Sequence, residues 1–358
     1  MTRLPLSAAL LLTLAACGDG AAPTATRDAT AAIVAVPPGA LTATNVNTAV
    51  FAAPVAPPAA AAATAAPSAT PAAPPQTADP AVLRAQILLD RANFSPGVID
   101  GLSGENVRQA IAAYEAAMGL PVDGLLDEAV FNRLIANDMA PALTGYAITA
   151  ADVAGPFVAD MPHDLEAMSK LAKLAYSGPE ELLSERFHTT PAVLVALNPG
   201  VDFRKAGTRI VAPAIRKTAL AAPVTRIVVD KAERAVKAYA ADGRLLAFYP
   251  ASIGSSDRPA PSGDMTVRAV APNPTYTFDP KRLTYGASKT KLTVPPGPNS
   301  PVGSVWIDLS VDTFGIHGAS EPKDIGKTFS HGCIRLTNWD AEQLAAAVKP
   351  GVAVAFVG

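Results

Sequence analysis

One thiol stands among imidazoles near the end of this 358-residue chain. The segment "KTFSHGCIRLTNWD" (327–340) places Ser330, His331, Gly332 and Cys333 in succession, and "GIHGAS" places His317 fourteen positions before His331. A thiol attacks carbonyl carbon as its anion, and a free pKa of about 8.5 leaves little anion at neutral pH. An adjacent imidazole accepts that proton or stabilises the anion, which makes covalent acyl transfer the chemistry open to such a pair. If "SHGCIRL" is a strand, alternation sends His331, Cys333 and Arg335 to one face. Gly332 lets the backbone pass close to a tetrahedral intermediate. The N–H groups of Gly332 and Cys333 are then candidates for an oxyanion hole, whose single donors are worth roughly 3 kcal/mol. Arg335 is a planar fork that suits a carboxylate, with an ion pair to Asp340 as its alternative role. Ser330 is placed with this substrate-binding group, as a hydrogen-bonding residue of the loop rather than a chemical one. His317, His331 and Cys333 also form a possible zinc set, but no carboxylate base accompanies them. Neither a metal nor a cofactor is expected.

Only one other cysteine exists, Cys17. It ends "MTRLPLSAALLLTLAAC", in which Arg3 precedes an apolar run and small residues lead to the thiol, the layout of a secretory signal. "LAAC" resembles the lipobox of bacterial lipoproteins. The resemblance implies a signal over 1–17, a lipidated Cys17, and an exported, periplasmic protein anchored to a membrane, the outer one by expectation. With Cys17 lipidated, Cys333 has no partner for a disulfide, although exported thiols are usually paired. The net charge of −2 and near-neutral balance argue against nucleic acid as a partner.

The elements that must position the thiol follow from pattern. Residues 18–79 are Ala-, Pro- and Thr-rich with almost no charge, and predict a disordered tether. From 80 to 137, "AVLRAQILLDRANF" and "ENVRQAIAAYEAAMGL" show helical spacing, and Asp100-Gly101 and Asp123-Gly124 read as turns leading into helices. Over 145–215 two short helical stretches precede an Asn198-Pro199-Gly200 break and the strand "RIVAP", with "YAITAADVAGPFV" as the source of a first strand. His163 and His188 read as structural. From 224 to 357 the chain alternates like a β-domain, with Asp242-Gly243 as a hairpin turn. "VWIDLS" and "VAVAFV" read as further strands there. "NWDAEQLAAAVK" is a helix opened by Asn338. Tyr276 and Trp306 read as core rather than pocket wall.

The stretch 314–340, with His317-Gly318 ahead of Ser330-His331-Gly332-Cys333-Ile334-Arg335, resembles the active-site segment of bacterial L,D-transpeptidases. "SDRPAPSGDMTV", "NPTYTF" and "GPNSPVGSVWIDL" fit the same family. The 80–137 segment resembles a small peptidoglycan-binding domain, and 145–215 a LysM glycan-binding domain. Together these imply a multidomain protein: a mostly-β catalytic domain of the L,D-transpeptidase β-sandwich type, behind a three-helix unit and a small α/β unit. The resemblance implies Cys333 as nucleophile and His317 as general acid/base, the latter oriented by a backbone carbonyl in the "HGAS" turn. His331, Gly332, Arg335 and Ser330 bind substrate or oxyanion. It implies peptidoglycan stem peptides and glycan as partners, with release of D-Ala and transfer of the acyl group to an amine. That amine belongs to another stem (a 3–3 crosslink) or to an outer-membrane lipoprotein. A carboxypeptidase using water and a non-catalytic lipid-anchored wall tether are the alternatives. The wall-binding units are expected to act as attachable modules that raise local substrate concentration.

Overall fold

The computed structural model describes residues 40–51, 77–216, 219–254, 259–281, 288–330 and 332–358. The leader with Cys17, most of the 18–79 segment, and His331 lie outside the described residues. Among the described residues no helix is long and apolar enough to cross a membrane.

Part of the expected tether is ordered. Helix α1 (Ala43–Asn47) buries Val46 completely beside Leu83, Ile87 and Leu143. Asn47 donates to the Leu143 carbonyl at 3.0 Å and accepts from its N–H at 2.8 Å. The Ala/Pro-rich composition of the segment hid one valine and one amide that have partners elsewhere.

The helical unit consists of α2 (Pro80–Arg91), α3 (Glu105–Met118) and α4 (Glu128–Asn137). Asp79 caps α2 by accepting from the Ala81 and Val82 amides, ahead of a proline that needs no hydrogen bond. Leu88, Ile111, Tyr114, Phe131 and Leu134 form its core. Each Asp-Gly turn is held by a side chain of the helix before it. Gln86 Oε1 accepts from the Asp100 and Gly101 N–H groups at 3.0 and 2.7 Å, and the Glu115 carboxylate accepts from those of Asp123 and Gly124 at 3.0 and 2.8 Å.

The middle unit pairs β1 (Leu143–Ala147) antiparallel to a later strand, β2 (Arg209–Pro213). Between them come α5 (Ala150–Ala154), α6 (Leu165–Ser169), α7 (Pro179–Arg186) and α8 (Pro191–Leu197). Ile148, Leu183, Leu194, Phe203 and Ile210 close the core of a β-α-α-β unit formed by β1, α7, α8 and β2, with α5 and α6 inserted after β1. The first strand starts earlier than "YAITAADVAGPFV", because a Thr149–Asp152 capping box turns the following residues into α5.

The β-domain is built on β3 (Arg226–Asp230), β4 (Ala235–Tyr239), β5 (Leu245–Pro250), β6 (Gly263–Pro272), a separate hairpin of β7 (Tyr276–Phe278) and β8 (Leu292–Val294), then β9 (Val305–Leu309), β10 (Gly315–His317), β11 (Ile334–Arg335), α9 (Asn338–Ala347) and β12 (Ala353–Val357). One sheet runs β11-β10-β9-β6-β12-β3-β4-β5, with β12–β3 and β10–β11 parallel and the other pairs antiparallel. Inward residues of alternating strands, such as Ile227, Val229, Val354 and Ile307, bury against Leu344 of α9. The cap of α9 is Thr337, whose Oγ1 accepts from the Asp340 N–H, and not Asn338. Asn338 turns inward: its Oδ1 accepts from the Ser304 N–H at 3.0 Å, and its Nδ2 donates to Glu185 of α7.

These units are not loosely attached modules. Strand β5 lies at the sheet edge, where unpaired backbone groups are a liability, and the helical unit covers it. Phe248 donates its N–H to the Asn93 carbonyl at 3.0 Å and accepts from the Ser95 N–H at 2.9 Å. The Phe248 ring lies in the core of the helical unit with Phe94 and Tyr114. All three units meet at α9. Ser95 donates to Asp340, His188 contacts Asp90 at 2.9 Å, and the His188 ring stacks on Trp339. His188 is thus structural, as expected, but its place is a junction rather than a surface. Burial, with Glu181 and Glu342 adding to it, pushes the Glu185 carboxyl up to about 8. Burial and the nearby Asp90 raise Asp340 to about 7.

Replacing Phe248 by Ala is expected to cost about 3–5 kcal/mol, read as a lower denaturant midpoint of the whole chain. A cost under about 1 kcal/mol would mean that the units do not share this core. The raised carboxyls also set a pH dependence. The unfolded chain releases the Glu185 proton near the ordinary carboxylate range while the folded chain keeps it, so folding stability falls as pH rises toward about 8. Melting temperature is therefore expected to fall between about pH 5 and 8, and to fall less in Glu185→Gln.

Candidate active site

Strands β10 and β11 bring the reacting groups together. Their parallel register sets Ile316 opposite Ile334 and His317 opposite Arg335. Both isoleucines are fully buried in the sheet core, so alternation turns His317 and Arg335, and with them Cys333, to the other side. A cavity of about 630 Å³ is lined there by Cys333, His317 and Arg335. Strand β11 is held from its far side by Ser252, whose N–H and carbonyl exchange hydrogen bonds with Arg335, both at 2.9 Å. The predicted strand "SHGCIRL" is shorter than expected, because only Ile334 and Arg335 pair with β10, while Ser330 bridges separately to Gly254. Gly332 has φ +117°, a backbone region that residues with a Cβ rarely adopt. The alternation argument therefore holds for Cys333 and Arg335 but does not extend to His331.

The imidazole of His317 is buried, and its Nδ1 lies 2.7 Å from the Gly318 carbonyl, in the turn where an acceptor was expected. A carbonyl only accepts, so in the neutral ring Nδ1 carries the proton and Nε2 the lone pair. Burial first, then the Arg335 charge, push the ring's pKa down to about 3. Trp306 stacks on this ring, with centroids 5.3 Å apart and an 18° tilt, and its Nε1 donates to Asp308. Gly315 makes the stacking possible, since a Cβ there would lie 2.4 Å from the indole.

Cys333 is half-buried, and its Sγ donates weakly to the Thr313 carbonyl at 3.5 Å. Burial raises the thiol pKa, with the Gly315 N–H and the Arg335 charge acting the other way. Burial thus works against a resting thiolate held by imidazolium. The same low-dielectric surroundings penalise both charged forms, which favours a neutral thiol beside a neutral imidazole at rest. Such a pair works by proton transfer during attack.

The other predicted residues separate into distinct places. Ser330 is buried and faces away from the cavity. Its Oγ donates to the Cys333 carbonyl and accepts from the Gly332 N–H at 3.2 Å, so it shapes the loop and is not a substrate or oxyanion group. The Gly332 N–H is accordingly engaged, leaving that of Cys333 as the donor of the expected pair. Arg335 makes no ion pair with Asp340, which instead meets Ser95 and Thr337. Among the described residues the Arg335 guanidinium has no ion-pair partner, and its Nε is buried without a hydrogen-bond acceptor. The zinc alternative requires His331, which lies outside the described residues. Tyr276 and Trp306, read as core, both line the cavity, as do Asp308 of β9 and Lys291 beside β8. The strand "VWIDL" puts Trp306 and Asp308 on one face by simple alternation, a signal that was available.

Comparison with known proteins accords with this architecture. Residues 224–356 match a family model described as an L,D-transpeptidase catalytic domain, and residues 78–134 one described as a peptidoglycan binding domain. A Bacillus licheniformis protein named as L,D-transpeptidase YkuD is 32% identical over 181 residues, covering 49% of this chain and 92% of that protein. Escherichia coli YcfS, also named as an L,D-transpeptidase, is 30% identical over 189 residues, covering 50% of this chain and 59% of that protein. A solved L,D-transpeptidase of Mycobacterium smegmatis is 22% identical with a TM-score of 0.32, over 42% of this chain and 64% of that one. The class is thus a peptidoglycan-binding helical unit joined to a mostly-β transpeptidase domain. The chain belongs to the L,D-transpeptidase family.

A neutral resting thiol has a kinetic signature. Alkylation of Cys333 by iodoacetamide, followed by mass spectrometry of its peptide, is expected to keep accelerating from about pH 6 to about pH 9. A plateau below about pH 7 would show an ion pair instead.

Proposed function

We propose that this chain is a peptidoglycan L,D-transpeptidase with Cys333 as nucleophile and His317 as its acid/base partner. The observation that carries this reading is the arrival on one cavity face, through a single strand register, of Cys333, His317 and an Arg335 whose Nε has no acceptor among the described residues. Sγ attacks the carbonyl that joins the L-centre of diaminopimelate to D-Ala, as its proton passes to His317 Nε2. The C–N bond then breaks, the departing D-Ala amine takes that proton, and a thioester remains. An amine of a second stem attacks the thioester, passes its proton through His317, and restores the thiol. The Cys333 N–H faces the developing oxyanion, and Arg335 receives a stem carboxylate.

Water exclusion by the walls around Trp306 favours the amine over hydrolysis. The helical unit binds peptidoglycan, and the β-α-α-β unit serves as a LysM-like glycan contact. Cys17 anchors the protein as an exported lipoprotein of the periplasm. Water as acceptor, a lipoprotein lysine, and simple tethering without turnover are the competing outcomes of one assay.

That assay incubates the purified chain with disaccharide-tetrapeptide. D-Ala release is expected, and Cys333→Ala is expected to abolish it, a loss of at least about 10³-fold for a removed nucleophile. Mass spectrometry of the products names the acceptor. Unaltered binding of the muropeptide without any release would leave only the tether.

A further inference from the structure

One stretch of the middle unit leaves its own core and crosses to the β-domain. Between α5 and α7 the chain runs out through α6, which buries none of its residues within the unit and packs on β8. Leu165, the first residue of α6, lines the Cys333 cavity. The return leg is fastened to the loop that precedes β9. Leu174 donates its N–H to the Pro296 carbonyl at 3.0 Å and accepts from the Asn299 N–H at 3.1 Å, and Asn299 Nδ2 donates to the Ala175 carbonyl at 3.1 Å. Leu174 and Ala175 are buried. The contact is close enough to demand a glycine: a Cβ on Gly297 would stand 2.0 Å from the Leu174 carbonyl oxygen. The same fastened loop continues into Pro301 and Val302, which face Cys333's cavity alongside Leu165.

We propose that Leu165 of the middle unit is a specificity-determining residue, forming with Pro301 and Val302 an apolar outer wall that fixes the width of the cleft leading to Cys333. The proposal rests on the reading of that cleft as the stem-peptide site. It assigns the glycan-binding unit a second task, contact with the peptide next to the reacting thiol. The wall offers methyl and methylene surface, while Lys291, Asp308 and Arg335 give the cleft charged groups. A stem peptide, with alanine methyls beside carboxylates and an ammonium, has surfaces for both. The backbone bonds at Leu174 and Asn299 make this wall a fixed one, so it selects by shape rather than by closing.

The test uses the full chain and two variants, Leu165→Trp and Leu165→Ala, with melting temperature as the folding control. Cys333 alkylation is timed with iodoacetamide and with fluorescein maleimide, and KM and kcat are measured for disaccharide-tetrapeptide. Leu165→Trp is expected to slow the bulky reagent about tenfold and to raise KM by a similar factor with kcat little changed, since pocket-size effects of this kind run from roughly 10- to 200-fold. Leu165→Ala is expected to speed the bulky reagent. Iodoacetamide should react alike with all three proteins. Bulky-reagent rates that match wild type in both variants overturn the proposal, and so does an equal slowing of both reagents. Discriminated alkylation in a chain that releases no D-Ala upholds the wall and sinks the enzyme reading, so the two failures remain separate.

Discussion

The site depends on two residues pairing with two others. Strand β11 is only Ile334–Arg335, and its parallel register against β10 decides which side chains enter the core and which face the cavity. With Ile316 and Ile334 inside, His317, Arg335 and Cys333 share the other face. A shift of one residue would bury a guanidinium and expose an isoleucine, so the apolar core specifies the register. Ser252 pairs with Arg335 on the opposite side, and the Ser330 hydroxyl ties the loop across Gly332. The chemistry is thus positioned by hydrophobic burial one residue away from it on each strand.

The same economy of position governs the protonation states. A thiol and an imidazole placed low in a cavity both lose solvation, and the charge of Arg335 opposes imidazolium while it favours thiolate. Burial, the larger influence on each, favours the neutral pair at rest. The Gly318 carbonyl fixes the tautomer, leaving Nε2 as the acceptor without making the ring basic. In the proposed reaction, charge separation is deferred to the moment of attack, when the oxyanion and the proton on His317 appear together and offset one another across the site.

Much of this was legible in the residues, and what was not has physical reasons. The Asp-Gly turns, the helices around them, the hairpin at Asp242-Gly243 and the carbonyl partner of His317 all follow from local rules: turn chemistry, periodicity and the need of a ring nitrogen for an acceptor. Local rules fail where distant segments meet. Val46 and Asn47 lie in a stretch whose composition suggests disorder, and only Leu143 and its neighbours explain their order. Asn338 reads as a helix cap by sequence, but a buried Glu185 from another unit recruits its amide and leaves Thr337 to cap. Trp306 was taken for core because aromatic residues in strands usually are, and Gly315 is what frees room for it over His317. The burial of Cys333 and His317 is equally hidden, because a sequence motif shows neighbours and not depth.

The junction of the three units changes how wall binding relates to catalysis. A flexibly tethered binding module raises the effective concentration of substrate according to linker length, and can be removed without touching the catalytic fold. Here the helical unit completes the edge of the catalytic sheet through Asn93, Ser95 and Phe248, and α7 places Glu185 against α9. The binding surfaces therefore hold a set distance and direction from Cys333. A fixed geometry forgoes the reach of a flexible linker and avoids the entropy of ordering one when substrate binds. It also fixes the direction from which anything held by the helical unit meets the cavity. In such an arrangement the helical unit and the β-domain share one core, and a change at their seam reaches both without touching the thiol.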